Sequence, residues 1–306
     1  MKILFDNVNF ESRSGPNSFG KKLADEINIR GYQVQVKPNS PDVQLSFIMA
    51  TAKHAPTVQR LDGIYFNTAQ DYSTLNAPIQ ETYREAECVI FQSRFNEALT
   101  KRYFGEHDDA TVIHNGTDLD AIEKISPVQI DVLDKFENVW CCASSWRPHK
   151  RLKENIRYFL DARGDNDCLV VAGSNPDYHV NDSRIFYLGD VLWPQLVSLY
   201  KRSKYFLHLA WLDHCPNVVI DARAAGCHII CSSSGGTEEI AGNKSTVIIE
   251  DSWDFTPTRL YEPPVMDFSL TRSGLFTSEI DIVLVADRYC DVLERAISSS
   301  TEKGLH

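Results

Sequence analysis

Four loops of this chain hold groups able to bind charge or hydroxyls, and each follows a short strand-like run. The segment SSWRPHKRLK at 144–153 gathers Arg147, His149, Lys150, Arg151 and Lys153 where a helix should open. Cations at that end oppose the helix dipole. The arrangement makes sense if an anion docks on the side chains and the helix amides at once. A diphosphate suits such an Arg and Lys mixture; the plain alternative is a solvated basic turn. The segment AWLDHCPNVVIDARAAG at 210–226 puts Asp213 in a loop and Asp221 within a helix whose first turn Pro216 fits. Carboxylates accept hydrogen bonds from vicinal hydroxyls, the chemistry of a sugar or a ribose. A helix cap at Asp213 and an Arg223 partner for Asp221 are the structural alternatives. The segment SSSGGTEE at 232–239 offers Gly235 and Gly236, which let backbone amides come close to a ligand. The loop at 11–20 offers Gly15 for the same purpose and lacks the Gly-Lys-Ser/Thr ending of a P-loop.

Such loops need a sheet to aim them. Strands are expected at 2–5, 32–36, 43–48, 63–66, 88–92 and 111–113, with helices at 18–30, 79–86 and 94–103, Ser18 and Ser93 acting as caps. The stretch 118–138 has little strand character and reads as a linker. A second series follows, with strands at 139–143, 168–172, 185–188, 205–209, 228–231 and 246–249. Its helices are expected at 152–162, 193–201, 218–225 and 237–241, and a final helix near 279–297. Strand–helix alternation predicts parallel sheets. The fold class is therefore α/β, with two Rossmann-like doubly wound domains at 1–137 and 138–265. A helical tail at 266–306 can cross back to the first domain. Two such domains in tandem imply a central cleft, with ligands beyond the carboxyl ends of the strands.

Composition narrows the partners. The 306 residues carry a formal net charge of -11, which disfavours nucleic acid and anionic lipid surfaces. No apolar run reaches the ~18 residues of a membrane helix, and the first residues lack a signal peptide's long apolar segment. A cytosolic protein is expected. Most of the eight cysteines lie in apolar runs and read as reduced core residues. Cys227, His228 and Cys231 share one expected strand, on which Cys227 and His228 point to opposite faces. No metal site and no cofactor are expected.

The four loops together resemble family 4 of the retaining glycosyltransferases, which have the GT-B fold, over nearly the whole chain. The resemblance is most specific at 213–239. Members carry an acid, seven residues, a second acid, a small-residue helix, an apolar strand and Gly-Gly-x-x-Glu; here these are Asp213, HCPNVVI, Asp221, ARAAG, CHIICSSS and Gly235-Gly236-Thr237-Glu238-Glu239. The resemblance implies transfer of a hexose-type sugar from a nucleoside-diphosphate sugar to a hydroxyl of a glycan, lipid or small molecule. Retention, by attack on the face the diphosphate leaves, is implied too. Asp213 would lie at the sugar, with amides around Cys215, Pro216 and Asn217 on its hydroxyls. Asp221 would hold the ribose, Lys150 the diphosphate, Gly15 the donor phosphates, and Glu239 the donor loop. Asn115 opens a turn like the family's Asn-Gly-x-Asp. Both acids are Asp where the family usually has Glu. Ser145 stands where the family has a diphosphate-binding Arg, and Arg147 is the nearest substitute. Arg60-Leu61-Asp62-Gly63 resembles an acceptor-side segment of small members, making Asp62 and Asn67 the acceptor candidates and His54 and His114 the alternatives. Two other functions fit the same loops: a non-catalytic nucleotide-sugar binding module, and a GT-B sugar-nucleotide epimerase that works without an acceptor.

Overall fold

The computed structural model describes residues 1–12 and 14–303; Arg13, in the first loop above, and 304–306, the end of the tail, lie outside the described residues. The chain forms two compact units. One comprises Met1–Asp118, Phe255–Pro257 and the end of the chain from Glu279; the other comprises Leu119–Asp254 and Thr258–Ser278.

The first unit is built on β1 (Lys2–Asp6), α1 (Gly15–Ile29), β2 (Gln33–Gln35), β3 (Val43–Phe47), β4 (Thr57–Leu61), α2 (Tyr72–Glu85), β5 (Cys88–Phe91), α3 (Arg94–Phe104) and β6 (Ala110–Val112). Its sheet has the order β2-β1-β3-β4-β5-β6, every pair parallel. Phe19, Leu23 and Ile27 line the buried face of α1. A lone helix of that length is marginal in water. Burying Leu23 and Ile27 completely contributes about 1.5–3 kcal/mol each.

Three local expectations are corrected here. The first helix starts at Gly15 behind Ser14, not at Ser18, because Pro16 has the φ of a first turn and no N–H to lose. The fourth strand is 57–61 rather than 63–66, and it buries Gln59 and Arg60 completely. The second helix starts at Tyr72, capped by Asp71, and runs through Pro78.

The second unit contains α4 (Leu119–Lys124), β7 (Asn138–Ala143), α5 (Leu152–Ala162), β8 (Asp167–Ala172), β9 (Ile185–Gly189), α6 (Trp193–Arg202), β10 (Tyr205–His208), α7 (Asn217–Ala224), β11 (His228–Ser232), α8 (Thr237–Ala241), β12 (Thr246–Ile248) and β13 (Thr271–Ser273). Strand order is β13-β12-β11-β10-β7-β8-β9, parallel except for β13. Strands such as β7 and β8 are buried along nearly their whole length, as a sheet covered on both faces requires, and so read as continuous apolar runs. The segment at 118–138 carries the short α4, whose Glu123 carbonyl accepts from Lys201 Nζ of α6 at 2.8 Å. The last helix, α9 (Ile282–Lys303), returns to the first unit. Its Ile282, Val285, Ala286, Tyr289 and Leu293 join Phe5, Phe19 and Leu23 in one core.

Candidate functional site

Strand order picks out where the second unit can bind a ligand. Its first strand, β7, lies between β8 and β10, so the chain winds outward in both directions from this pair. Loops at such a reversal diverge and leave a crevice at the strands' carboxyl ends. The loop after β7 carries Lys150, and the loop after β10 carries Asp213.

The two side chains meet. Lys150 Nζ donates to Asp213 Oδ2 at 2.5 Å, with 17% and 14% of the side chains exposed. His208, the last residue of β10 and 4% exposed, brings Nε2 to 2.9 Å from the same oxygen. Burial alone would raise the Asp213 carboxyl, but the Lys150 ammonium and His208 outweigh it and hold it well below the usual carboxylate range. Burial lowers the pKa of His208 below the ordinary histidine value, partly offset by Asp213. His208 is therefore neutral at pH 7, and toward an ionised carboxylate it donates from Nε2.

Backbone contacts fix the geometry. Gly236 N–H donates to the Asp213 carbonyl at 2.7 Å, and Asp213 and Gly235 form a parallel bridge. Gly235 has φ +81°, and a Cβ there would lie 2.4 Å from the Asp213 carbonyl oxygen. The glycine pair thus seats the acid, and the Gly236 amide is already engaged. Asn155 of α5, 1% exposed, ties both loops together. Its Nδ2 donates to the carbonyls of Lys150 at 3.2 Å and Arg151 at 2.8 Å, and its Oδ1 accepts from Leu209 N–H at 3.2 Å. Trp211 N–H adds a bond to the His149 carbonyl at 2.7 Å.

The five-member basic cluster is smaller than its sequence suggests. Arg151 is buried in the left-handed region (φ 53°), its guanidinium 2.8 Å from Glu250 and donating to the Pro264 carbonyl. His149 is buried too; burial first, then the Lys150 charge, lowers its pKa to about 3. Lys150 is drawn to Asp213, while Arg147 and Ser145 are exposed. Ser145 Oγ accepts from Ser174 Oγ at 3.4 Å.

The other candidates scatter. Pro216 and Asn217 begin α7 just past Asp213, with Cys215 buried beside them. Asp221 faces inward on α7, 4% exposed, and its Oδ2 accepts from Trp193 Nε1 at 2.9 Å. Glu239 is buried in α8. Gly15 is exposed in the first turn of α1, in the first unit. Asn115, also in the first unit, accepts from Arg60 Nη2 at 2.7 Å. That fully buried arginine also pairs with Asp62, donates to Tyr289 Oη at 3.1 Å and lies over the Phe19 ring. Asn67 Oδ1 accepts from Ala69 N–H at 3.1 Å within its own turn. His54 is exposed and His114 partly buried. Cys227 and His228 are engaged apart, with the Tyr200 carbonyl and with Thr246 Oγ1.

Sequence reasoning passed over His208 and Asn155. His208 had a signal, a histidine closing a strand just before a loop acid. Asn155 had one as well, the polar member of a buried helix face shared with Leu152, Ile156 and Phe159.

Residues 129–254 match the model of the family described as glycosyl transferases group 1. The matched segment holds Lys150, His208, Asp213 and the Gly235–Gly236 turn. Among solved structures, the chain is similar to sucrose-phosphate synthase from Thermosynechococcus elongatus (TM-score 0.65, 14% identity, 81% of this chain and 86% of that one). It is similar to HepE of Anabaena in complex with UDP and glucose (TM-score 0.65, 13% identity, 96% and 99%). It is similar also to WaaG, a glycosyltransferase involved in lipopolysaccharide biosynthesis (TM-score 0.61, 12% identity, 98% and 94%). The fold is thus that of the GT-B glycosyltransferases. No curated protein matches the sequence. Among the described residues no helix is long and apolar enough to cross a membrane.

Proposed function

We propose that the protein is a retaining glycosyltransferase of the cytosol. It moves a hexose-type sugar from a nucleoside-diphosphate sugar to an acceptor hydroxyl, with neither metal nor organic cofactor. The observation that carries this reading is the meeting of Lys150 and Asp213 at the strand-order reversal of the segment that matches the group 1 glycosyltransferases. One group suits a diphosphate and the other suits sugar hydroxyls, on loops that diverge from adjacent strands.

In this reading Lys150, with the exposed Arg147, neutralises the diphosphate as it departs. One well-placed group of this kind contributes roughly 3–4 kcal/mol to a transition state. Asp213 and the amides around Cys215, Pro216 and Asn217 orient the sugar. Asp221 serves the ribose, and Gly235 and Gly236 act by seating Asp213. Ser145 and Glu239 complete the donor side in the second unit; within the first unit, Gly15 and Asn115 are the donor candidates. Asp62 and Asn67 meet the acceptor. The acceptor oxygen bonds to the anomeric carbon as the bond to the diphosphate breaks, and the acceptor proton passes to the leaving phosphate oxygen on the same face. Eight free, buried cysteines suit a reducing compartment. Because HepE is known with UDP and glucose, UDP-glucose is the first donor to try.

The test is calorimetric titration of the protein and of Lys150→Ala with UDP, GDP, ADP and their glucose conjugates. Tight binding of one nucleoside diphosphate, weakened at least about tenfold in the variant, is expected. Binding of none of them by the wild type would overturn the reading.

A further inference from the structure

Asp213 Oδ2 accepts two hydrogen bonds, from Lys150 and from His208. Under the function proposed above, on which this inference rests, the first must give way. An ammonium that moves onto a diphosphate cannot keep the same contact with the carboxylate. Oδ1 keeps the His214 N–H at 3.0 Å, but Oδ2 then needs a partner that stays, since an ionised group with little solvent is costly to leave unsatisfied.

His208 meets that need. It belongs to a central strand, with β7 and β11 on either side of β10. It is nearly fully buried, and its ring lies parallel to that of Phe206 on the same strand (centroids 6.4 Å apart, 10° between planes). It has no long flexible stem with which to follow a ligand, as Lys150 has. Asp213 is meanwhile pinned at its backbone by Gly235 and Gly236. With the main chain held and Oδ1 on the adjacent His214 N–H, a lasting bond to Oδ2 fixes the remaining side-chain torsions. We infer that His208 is a positioning residue, whose Nε2–H holds the Asp213 carboxylate in place for the donor sugar while Lys150 moves onto the diphosphate.

This division of labour separates two affinities that a merely structural histidine would move together. The nucleoside diphosphate should depend on Lys150 and not on His208; the added sugar should depend on His208 through Asp213. In titrations with UDP, GDP, ADP and their glucose conjugates, His208→Ala should keep the diphosphate affinity within about twofold and weaken the sugar conjugate about 10–100-fold, the usual effect of losing a hydrogen bond to a charged group. His208→Gln, whose amide nitrogen falls near the position of Nε2, should recover most of that loss. In 15N-histidine spectra of the free protein at pH 7, His208 should be neutral with its proton on Nε2, and Asp213→Asn should shift that nitrogen. Equal weakening of diphosphate and sugar conjugate in His208→Ala, or no weakening of either, would overturn the inference. So would a proton on Nδ1. Binding of no nucleotide by the wild type would instead remove the proposed function; the tautomer and its response to Asp213→Asn would still decide whether His208 holds the acid.

Discussion

Each unit has a carboxylate at its strand-order reversal, and the two are held in opposite ways. In the first unit the reversal lies between β1 and β3, and Asp6 closes β1. Asp6 is 7% exposed and accepts from Gln44 Nε2, Ser46 Oγ, and both the N–H and the Oγ1 of Thr51. All four donors are uncharged and short-tethered, two from the neighbouring strand and two from the loop that follows it. That carboxylate is a fastener, stitching one loop to the sheet. In the second unit Asp213 Oδ1 accepts from the His214 N–H, while Oδ2 has one partner on a strand, His208, and one on a long stem, Lys150. A cation on a flexible stem can exchange one anion for another; a set of neutral donors fixed on strand and loop cannot. The same backbone topology thus yields a structural carboxylate in one unit and an exchangeable ion pair in the other.

Removing each partner set should separate the two roles. Lys150→Ala should lower turnover by about 10²–10³-fold, well beyond its cost in melting temperature, since the Asp213 carboxylate keeps His208 and the His214 N–H. Equal losses of activity and stability would erase the contrast. Asp6→Ala should do the reverse, leaving nucleotide affinity intact while costing about 2–4 kcal/mol in urea unfolding, because several buried donors lose their acceptor. Gly235→Ala should fall between these, costing about 1–3 kcal/mol for the left-handed backbone and displacing Asp213. Weaker binding of the sugar conjugate than of the bare diphosphate is the sign to look for.

The smallest effect is on pH dependence. His149 and His214 titrate at about 3 and about 4 in the fold, both lowered first by burial. Their unfolded values lie near 6.5. The unfolded chain therefore binds protons that the folded chain refuses, and stability falls as pH drops from about 6.5 toward those folded values. The slope approaches about 1.4 kcal/mol per pH unit for each such histidine. Asp213, whose folded pKa is depressed, contributes stability above its unfolded value near 3.9 and loses it only at lower pH. His149→Phe should flatten the stability profile between pH 6 and pH 4.5, measured by urea unfolding; an unchanged slope would mean that the ring is protonated in the fold.

Much of the second unit is legible in the sequence because its strands are buried on both faces, so that runs such as VWCCA and CLVVA contain almost nothing polar. The first unit is harder to read. In β4 the residues Gln59 and Arg60 look like a loop, yet both are fully buried. Apart from the Arg60–Asp62 ion pair, their polarity is met by partners further along the chain, the carbonyls of Ile48 and Ile79 for Gln59, and Asn115 and Tyr289 for Arg60. No local pattern announces such partners. The first half of α2 is hidden by Pro78, which a helix tolerates where tertiary packing supports it. At the site, the spacing of Asp213, Asp221 and the glycine pair is visible along the chain, whereas the partner of each is not. Lys150 lies 63 residues from Asp213, and Trp193 lies 28 from Asp221.

Sequence by itself determined the alternation of strands and helices, hence parallel sheets, and the loops that would carry the chemistry, because apolar periodicity and residue type are local properties. Tertiary structure alone decided which of those groups keep their charge for a ligand. Arg151 and His149 read as members of a cationic loop, but folding gives one a carboxylate partner and strips the proton from the other. It sets Lys150 and His208 on a single oxygen of Asp213. Charge and hydrogen bonding act through space, and the distances that govern them exist only once the strands have been ordered side by side.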